Sequence, residues 1–251
     1  MRKNMFIGAL FIALIALAGI IFVLRHYTDL FVIQEKMTIT SVKHGDEKVK
    51  MLSVTLSNGI LKILKNETVT GWVVIAKYSE DSTPPSITVS KGELSVMMSN
   101  GILEIHLKTL SSISFDVSNG VVSIVVYGEN CSITGRVING NMNIAILYGN
   151  YSISLEIGNG NMDLLCSNVT ISGSLSVSNG DISATIITNL GGKIDYIIEN
   201  GDATITSIGY TVNVTKSNGG ESGEVSCEGK GIALTISIGN GSLILVVIKV
   251  D

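Results

Sequence analysis

Apolar and polar residues alternate along most of the chain, in segments that follow Asn-Gly dipeptides at a nearly constant spacing. Counted from each Asn, positions +3, +5 and +7 are apolar in repeat after repeat, as in Met142, Ile144 and Ile146. Alternation with period two indicates a β-strand that buries one face. A second such strand precedes the dipeptide, as in Ile153 and Leu155. Each repeat is therefore predicted to contain two short strands.

The Asn-Gly dipeptides mark corners and set the repeat length. Their spacings are 42, 19, 20, 20, 20, 21, 18 and 22 residues, and the longest is interpreted as two periods with one marker lost. Self-similarity at a short fixed period is typical of a solenoid. The repeat-corner residues are Asn58, Asn100, Asn119, Asn139, Asn159, Asn179, Asn200, Asn218 and Asn240.

Asn-Gly is also the strongest signal for a two-residue hairpin, so an antiparallel meander is the competing interpretation. The constant phase favours parallel stacking, because equivalent positions of equal coils lie one above another, about 4.8 Å apart. Asn141, Asn161, Asp181 and Asp202 follow the dipeptides of consecutive repeats and are expected to form such a column. We therefore predict an all-β fold, a right-handed parallel β-helix of roughly nine or ten coils.

The N-terminal residues differ from the repeats. Residues 5–24 contain no charge and no proline, and a helix rising about 1.5 Å per residue over this length crosses a bilayer core of about 30 Å. Basic residues precede the segment, so residues 1–4 are predicted to be a cytoplasmic stub. The alternative is a signal peptide cleaved after residues 16–18, although the apolar run continues to Leu24. We predict a single-pass anchor in the cell membrane, with the solenoid on the extracytoplasmic side.

Residues 25–50 are a short charged segment that leads into the repeats, which are predicted over residues 51–251. Residues 37–42 and 48–54 alternate around a polar turn, which predicts a hairpin that caps the stack. Both prolines of the chain lie within residues 78–85, predicted to be a projecting loop because proline cannot donate to a strand ladder.

The C-terminal segment, residues 243–251, is apolar and is followed by no evident cap. An uncovered terminal strand offers unpaired backbone groups. We therefore expect this end to pair with a second copy of the chain or with a partner strand.

Composition and charge limit the classes of function. Charged residues make up 15% of the 251 residues, the formal net charge is −4, and the three histidines lie far apart. These features argue against nucleic acid as a partner and against a histidine metal site. Asp181 and Asp202 are expected to stack as a structural ladder rather than a catalytic pair. We predict a protein that is not an enzyme and binds no cofactor or metal.

Cysteines and sequons give weaker indications. The three cysteines cannot form a complete disulfide framework, and Cys166, at position +7, is predicted to be buried. Asn-x-Ser/Thr sequons suit exposed turns of an extracytoplasmic domain, although Asn, Ser and Thr are also common corner residues. The candidate glycosylation sites are Asn66, Asn130, Asn150, Asn168 and Asn213, three of which (Asn130, Asn150 and Asn168) fall near one corner of successive repeats.

The turn sequences carry a family resemblance. Residues 178–183 are Ser-Asn-Gly-Asp-Ile-Ser, and residues 138–144 and 199–205 follow a similar pattern. Over residues 51–251 the chain resembles the putative adhesin family of unknown function, which forms short-period β-helices with Ser-Gly-Asp-Ile-type turns. The turns here are mostly Asn-Gly, so a second resemblance is to the polymer-forming bactofilins, which are normally cytoplasmic.

Three functions are compatible with these observations. The resemblance implies an adhesin-like cell-surface module whose outward faces contact another surface or the envelope. The second hypothesis is a structural subunit that polymerises end to end. The third is a carbohydrate-active β-helix protein.

Overall fold

The computed structural model describes residues 39–217 and 219–250, apart from the side chains of Glu129 and Ser217. The predicted cytoplasmic stub, the predicted anchor and the corner residue Asn218 lie outside the described residues. The described residues form strands joined by turns, which confirms the all-β prediction. Within this part of the chain, no helix has the length and apolarity needed to span a membrane.

The strands of the described chain follow one another with short connections. They are β1 (Ile39–Gly45), β2 (Met51–Lys65), β3 (Trp72–Tyr78), β4 (Ser86–Ser90), β5 (Glu93–Leu107), β6 (Ser112–Asn159), β7 (Met162–Asn179), β8 (Ile182–Thr188), β9 (Gly192–Asn200), β10 (Ala203–Ile208), β11 (Thr211–Ser217), β12 (Gly220–Cys227), β13 (Ile232–Asn240) and β14 (Leu243–Lys249).

Equivalent positions of the repeats pair in parallel strands. β2 pairs with β5 and with β6, so that Asn58 lies opposite both Asn100 and Asn119. β6 pairs with β7 in the same register, with Asn159 opposite Asn179. Each repeat thus occupies one level of a stack, which we call a rung, and neighbouring rungs place equivalent side chains next to one another.

The inward side chains of the rungs form one continuous apolar core. We call the strand before each Asn-Gly corner the first strand of its rung and the strand after it the second strand. Ile144 and Ile146 from second strands, and Val137 and Ile157 from first strands, are fully buried. Burial of one such side chain contributes about 2 kcal/mol. The residues between them face outward, as in the alternating burial of β13. The predicted inward phase of the strands is therefore confirmed.

The spatial order of the rungs departs from the chain order at the C-terminal end. β13 lies between β7 and β9, and β14 lies between β8 and β10, with parallel pairing on both sides. The prediction that the C-terminal strand is uncovered is wrong, because both of its edges are hydrogen bonded. Ser242 lies between Asp181 and Asp202, because the Ile182 N–H donates to the Ser242 carbonyl oxygen and the Leu243 N–H donates to the Asp202 carbonyl oxygen. The sequence predicted that Asp181 and Asp202 stack on adjacent rungs. That prediction is wrong, because the rung of Ser242 lies between theirs.

The N-terminal end is rearranged in the same way. β2 lies between β5 and β6, although β5 follows it in the chain. The interval of 42 residues is not two periods, because its extra residues form β3 and β4, which pair antiparallel with β5. β1 pairs antiparallel with β3 instead of with residues 48–54, so the cap differs from the predicted hairpin. Residues 79–85 form the predicted loop containing both prolines.

Antiparallel strands also lie at the opposite end of the stack. β12 pairs antiparallel with β9, and β11 pairs antiparallel with β12, with Ser217 opposite Gly220. Tyr196 of β9 donates to Glu221 of β12 across this boundary, at 2.9 Å. Antiparallel strands therefore cover β5 at one end of the stack and β9 at the other, whereas β10 pairs only with β14.

The three thiols differ in burial, and we expect them to differ in reactivity. Cys166 and Cys131 are buried, and Cys227 is half-buried with its Sγ 3.3 Å from Lys249 Nζ. Burial raises the pKa of Cys166, so its reactive thiolate form stays scarce even in alkaline buffer. Maleimide labelling of the native full-length chain, followed by peptide mass spectrometry, should modify Cys227 first and Cys166 only on unfolding. Early labelling of Cys166 would contradict this assignment of the inward face.

Candidate functional site

The corner asparagines form a hydrogen-bonded ladder along one edge of the stack. Along the ladder, from Asn58 to Asn200, the Nδ2 of each asparagine donates to the Oδ1 of the asparagine on the preceding rung, at 2.8–3.0 Å. The following glycines adopt positive φ, 143° at Gly140 for example, which allows the carbonyl of one rung to approach the glycine of the next. The ladder follows the spatial order Asn100, Asn58, Asn119, Asn139, Asn159, Asn179, Asn240 and Asn200.

Replacement of a central ladder residue should cost stability. Asn159 donates to Asn139 and accepts from Asn179. In Asn159→Asp a carboxylate replaces the donor and faces a carbonyl oxygen, so we expect a loss of about 1–2 kcal/mol in urea unfolding at pH 7. Asn100→Asp is the matched control, because within the ladder Asn100 only accepts. Equal losses for the two variants would show that the ladder is not a source of stability.

The outer face of the first strands carries columns of hydroxyl groups, which we call the hydroxyl face. Rungs are about 4.8 Å apart, and residues two apart along a strand are separated by roughly 6.6 Å. The pairing of Ser154 with Ser174 and of Ser152 with Ser172 sets the register of the columns. The longer column, in spatial order, is Ser95, Ser53, Ser114, Thr134, Ser154, Ser174 and Thr235, and the shorter is Ser112, Ser132, Ser152 and Ser172.

Charged residues border the hydroxyl face without entering its centre. Arg136 and Glu156 form an exposed ion pair, with Nε and Oε1 3.6 Å apart. At the C-terminal end of the face, Lys193 Nζ lies 3.0 Å from both Asp195 and Glu224. The hydrogen bond with Glu224 raises the pKa of Lys193, and the same bond lowers the pKa of Glu224. The two hydroxyl columns are therefore uncharged on the middle rungs, and Arg136 and Glu156 beside them are paired with each other.

The outer face of the second strands is less exposed. Asn143 has a sequence position that predicts an outward, exposed side chain, yet only 5% of it is exposed. Ser123 and Ala145 on the same face are also buried, and Leu64 and Leu165 are half-buried. The prediction of an exposed Asn143 is therefore wrong, and the two outer faces present different chemistry.

A shallow groove runs along one edge of the hydroxyl face, where the chain turns into each first strand. Its volume is about 370 Å³, and a second groove of about 540 Å³ shares Thr170 and Ser172 with it and continues to Lys193 and Cys227. We call the first one the corner groove. The polar residues that line the corner groove are Asn130, Ser132, Asn150, Ser152, Thr170 and Ser172.

The turn beside the corner groove holds an exposed aromatic residue in a left-handed conformation. Tyr148 has a φ of 51° and is 60% exposed. The equivalent positions of the neighbouring rungs are Gly128 and Asn168, at φ values of 66° and 53°. Glycine and asparagine tolerate this conformation, whereas it is costly for a bulky residue. Tyr151 donates weakly to the carbonyl oxygens of residues 147 and 148, at 3.4 Å.

The structure separates the candidate glycosylation sites. Asn130 and Asn150 are exposed neighbours, with Asn150 Nδ2 donating to Asn130 Oδ1 at 2.8 Å. Asn168 is exposed but lies level with Tyr148 rather than with this pair, because Thr170 pairs with Asn150. Asn213 is exposed on β11, and Asn66 donates from Nδ2 to His106 and accepts from Thr68. The shared corner predicted from the sequence therefore holds two of these three asparagines.

The hydroxyl columns and Tyr148 are not among the residues predicted from the sequence. The longer column was present as serine or threonine five residues before seven of the nine corner asparagines. Tyr148 could have been found because it replaces glycine or asparagine at a position that requires a turn. Those residues are therefore added to the candidate site.

Comparison with known proteins gave structural neighbours only. No protein-family model and no curated protein matches the chain. A putative cell adhesion protein from Clostridium sporogenes is 14% identical, covers 84% of this chain and 100% of its own, and has a TM-score of 0.39. A putative adhesin from Bacteroides fragilis is 13% identical, with 85% of this chain and 98% of its own covered and a TM-score of 0.38. A putative adhesin from Parabacteroides merdae is 11% identical, with 87% of this chain and 98% of its own covered and a TM-score of 0.35.

Proposed function

We propose that the chain is a non-catalytic, adhesin-like module of the cell surface, anchored in the membrane through residues 5–24. In this proposal the repeats wind as a right-handed parallel β-helix and present the hydroxyl face on the extracytoplasmic side. The partner is another surface or a component of the envelope.

The hydroxyl face is the observation that supports this function. In-register pairing from Ser53 to Thr235 holds a broad sheet face of evenly spaced hydroxyl groups, which are exposed from Ser114 to Thr235. The core and the ladder fix the side chains in position, so contacts need little further ordering on binding. Many weak, repeated polar contacts on a rigid support suit adhesion between surfaces, because avidity multiplies them.

The test uses the full-length chain in fluorescent liposomes, mixed with intact bacterial cells of several Gram-positive and Gram-negative strains. We expect retention of the liposomes by some strains and loss of retention in the double variant Ser154→Arg, Ser174→Arg. The control is Thr204→Arg, Thr206→Arg, which adds the same charge at exposed positions of the other outer face. The proposal fails if no strain retains the liposomes above bare lipid, or if both double variants behave alike.

The anchor can be tested on its own. The apolar segment continues to Leu24, beyond the candidate cleavage position. We expect the chain to remain with membranes after washing at high pH. A mature N-terminus at Gly19, measured by intact mass, would instead establish a cleaved signal peptide.

Two of the edge strands oppose the alternative of end-to-end polymerisation. β1 carries Lys43 and His44, and β11 carries Lys216, whereas β4 and β10, each paired with one strand only, carry no charged residue. Lysine on an edge discourages pairing with another strand, and two basic edges repel each other.

Among the sequons we propose Asn213 as the glycan acceptor, because its side chain is exposed whereas Asn66 and Asn150 donate from their amide nitrogens.

A further inference from the structure

We infer that the corner groove binds a neutral, linear polysaccharide lying along the stack axis, with Tyr148 as its aromatic contact. This inference rests on the proposed function, because it names the partner class for the same surface. Two features of the groove carry it, its uncharged lining and its repetition from rung to rung, together with the conformation of Tyr148 in the turn beside the groove.

The lining of the corner groove matches the chemistry of sugar hydroxyls. The amides of Asn130 and Asn150 and the hydroxyls of Ser132, Ser152 and Ser172 can each donate and accept hydrogen bonds. Sugar hydroxyls also do both, so every pairing can be satisfied in either direction. No charged side chain is among the lining residues of this groove within the described chain. A neutral polymer therefore fits better than an acidic one.

The repetition of the groove favours a polymer over a small molecule. Asn150 and Ser152 stand on one rung, and Thr170 and Ser172 repeat the amide-or-hydroxyl pattern on the next. The rungs succeed one another at about 4.8 Å. A chain of linked sugar rings that runs along the axis meets a similar set of groups at each step. A compact ligand would meet only one such set.

Tyr148 supplies the contact that distinguishes carbohydrate from other polar polymers. The C–H face of a sugar ring packs against aromatic rings, and Tyr adds a hydroxyl at the far end. Tyr148 is exposed and holds a left-handed conformation that its neighbours reach with glycine and asparagine. Burial in the core does not explain a strained aromatic residue in this position. Strain that persists at an exposed position points to a function for the side chain.

The experiment is calorimetric titration of the full-length chain in a detergent without a sugar headgroup. The probes are cellohexaose, xylohexaose and chitohexaose, with hexagalacturonate as the acidic comparator. We expect at least one neutral hexasaccharide to bind. Ser152→Arg, which fills the groove, and Tyr148→Asn should each weaken binding at least about tenfold. The control Ser237→Arg adds the same charge at an exposed position outside the groove and should bind normally.

Thermal unfolding separates a binding role of Tyr148 from a structural one. Tyr148→Asn copies the residue of the next rung, so its melting temperature should equal or exceed that of the natural chain while affinity falls. The inference is overturned if no neutral hexasaccharide binds up to millimolar concentration, if hexagalacturonate alone binds, or if both groove variants bind normally. Cells that still retain the liposomes in that case would leave the proposed function standing with a protein partner. Binding of a hexasaccharide without retention of the liposomes by any cells would support the inference and contradict the proposed function.

Discussion

Ile144→Asp is expected to unfold the stack or to leave it severely destabilised. Ile144 is fully buried and pairs across the rungs with Leu164. The substitution removes an aliphatic contact and places a carboxylate in a core without a partner for it. The two effects together should exceed about 3 kcal/mol, measured by urea unfolding of the full-length chain in mild detergent.

The control for this variant is Ser154→Asp on the hydroxyl face. Ser154 is exposed and lies opposite Ser174, so the new charge remains in water and the change should stay within about 0.5 kcal/mol. Asn143→Asp is unsuitable as a control because Asn143 is buried despite its outward phase. Similar unfolding midpoints for Ile144→Asp and Ser154→Asp would mean that the inward and outward faces are wrongly assigned.

Gly160→Ala is expected to have an effect of comparable size, although it adds only a methyl group. Gly160 has a φ of 137°, and a Cβ there would overlap the carbonyl oxygen of Gly140 on the next rung. The overlapping atom is backbone and cannot move without opening the ladder beside Asn159. We expect a loss of about 3 kcal/mol or more in urea unfolding.

Gly128→Asn is the matched control for the corner glycine. Gly128 has a φ of 66°, which asparagine tolerates, and the atom nearest to a Cβ is the flexible end of Lys65 at 3.6 Å. We expect its stability to change little. If Gly160→Ala is equally mild, neighbouring rungs lie further apart at the corner than the structure places them.

The inward face was predictable because it follows from strand geometry alone. Alternation with period two assigned Ile144 and Cys166 to the core, and both are fully buried. The loop with both prolines was predictable for a similar reason, since proline cannot take part in a ladder. Each of these properties is set by a residue and its immediate neighbours.

The order of the rungs was not predictable, because the repeats are too alike to specify their neighbours. Asn179 pairs with Asn240 and not with Asn200, yet the three corners have nearly the same sequence. One sequence signal did mark the antiparallel strands β11 and β12. The position two residues before the corner asparagine is apolar throughout, except at Lys216, and that residue lies in the antiparallel pair β11–β12.

The candidate site was hidden from the sequence for a different reason. Serine and threonine are ordinary residues on an exposed strand, so Ser154 or Ser174 carries no signal by itself. The hydroxyl face exists only because the rungs are in register. Tyr148 was recognisable only by comparison with Gly128 and Asn168 at the same position of the neighbouring repeats, since nothing in its own sequence neighbours marks it.

The interior position of β13 and β14 has a consequence for how the protein is made. These strands are the last described ones to leave the ribosome, and β7 and β9 cannot acquire their native neighbour until they arrive. Folding therefore cannot proceed by adding rungs in the order of synthesis, and the C-terminal half must wait with a gap between β8 and β10. A chain truncated near residue 231 displays that gap, with its unpaired strand edges, to chaperones and proteases. Residues 232–249 must therefore be present before the rungs built from β7, β8, β9 and β10 can join into one stack.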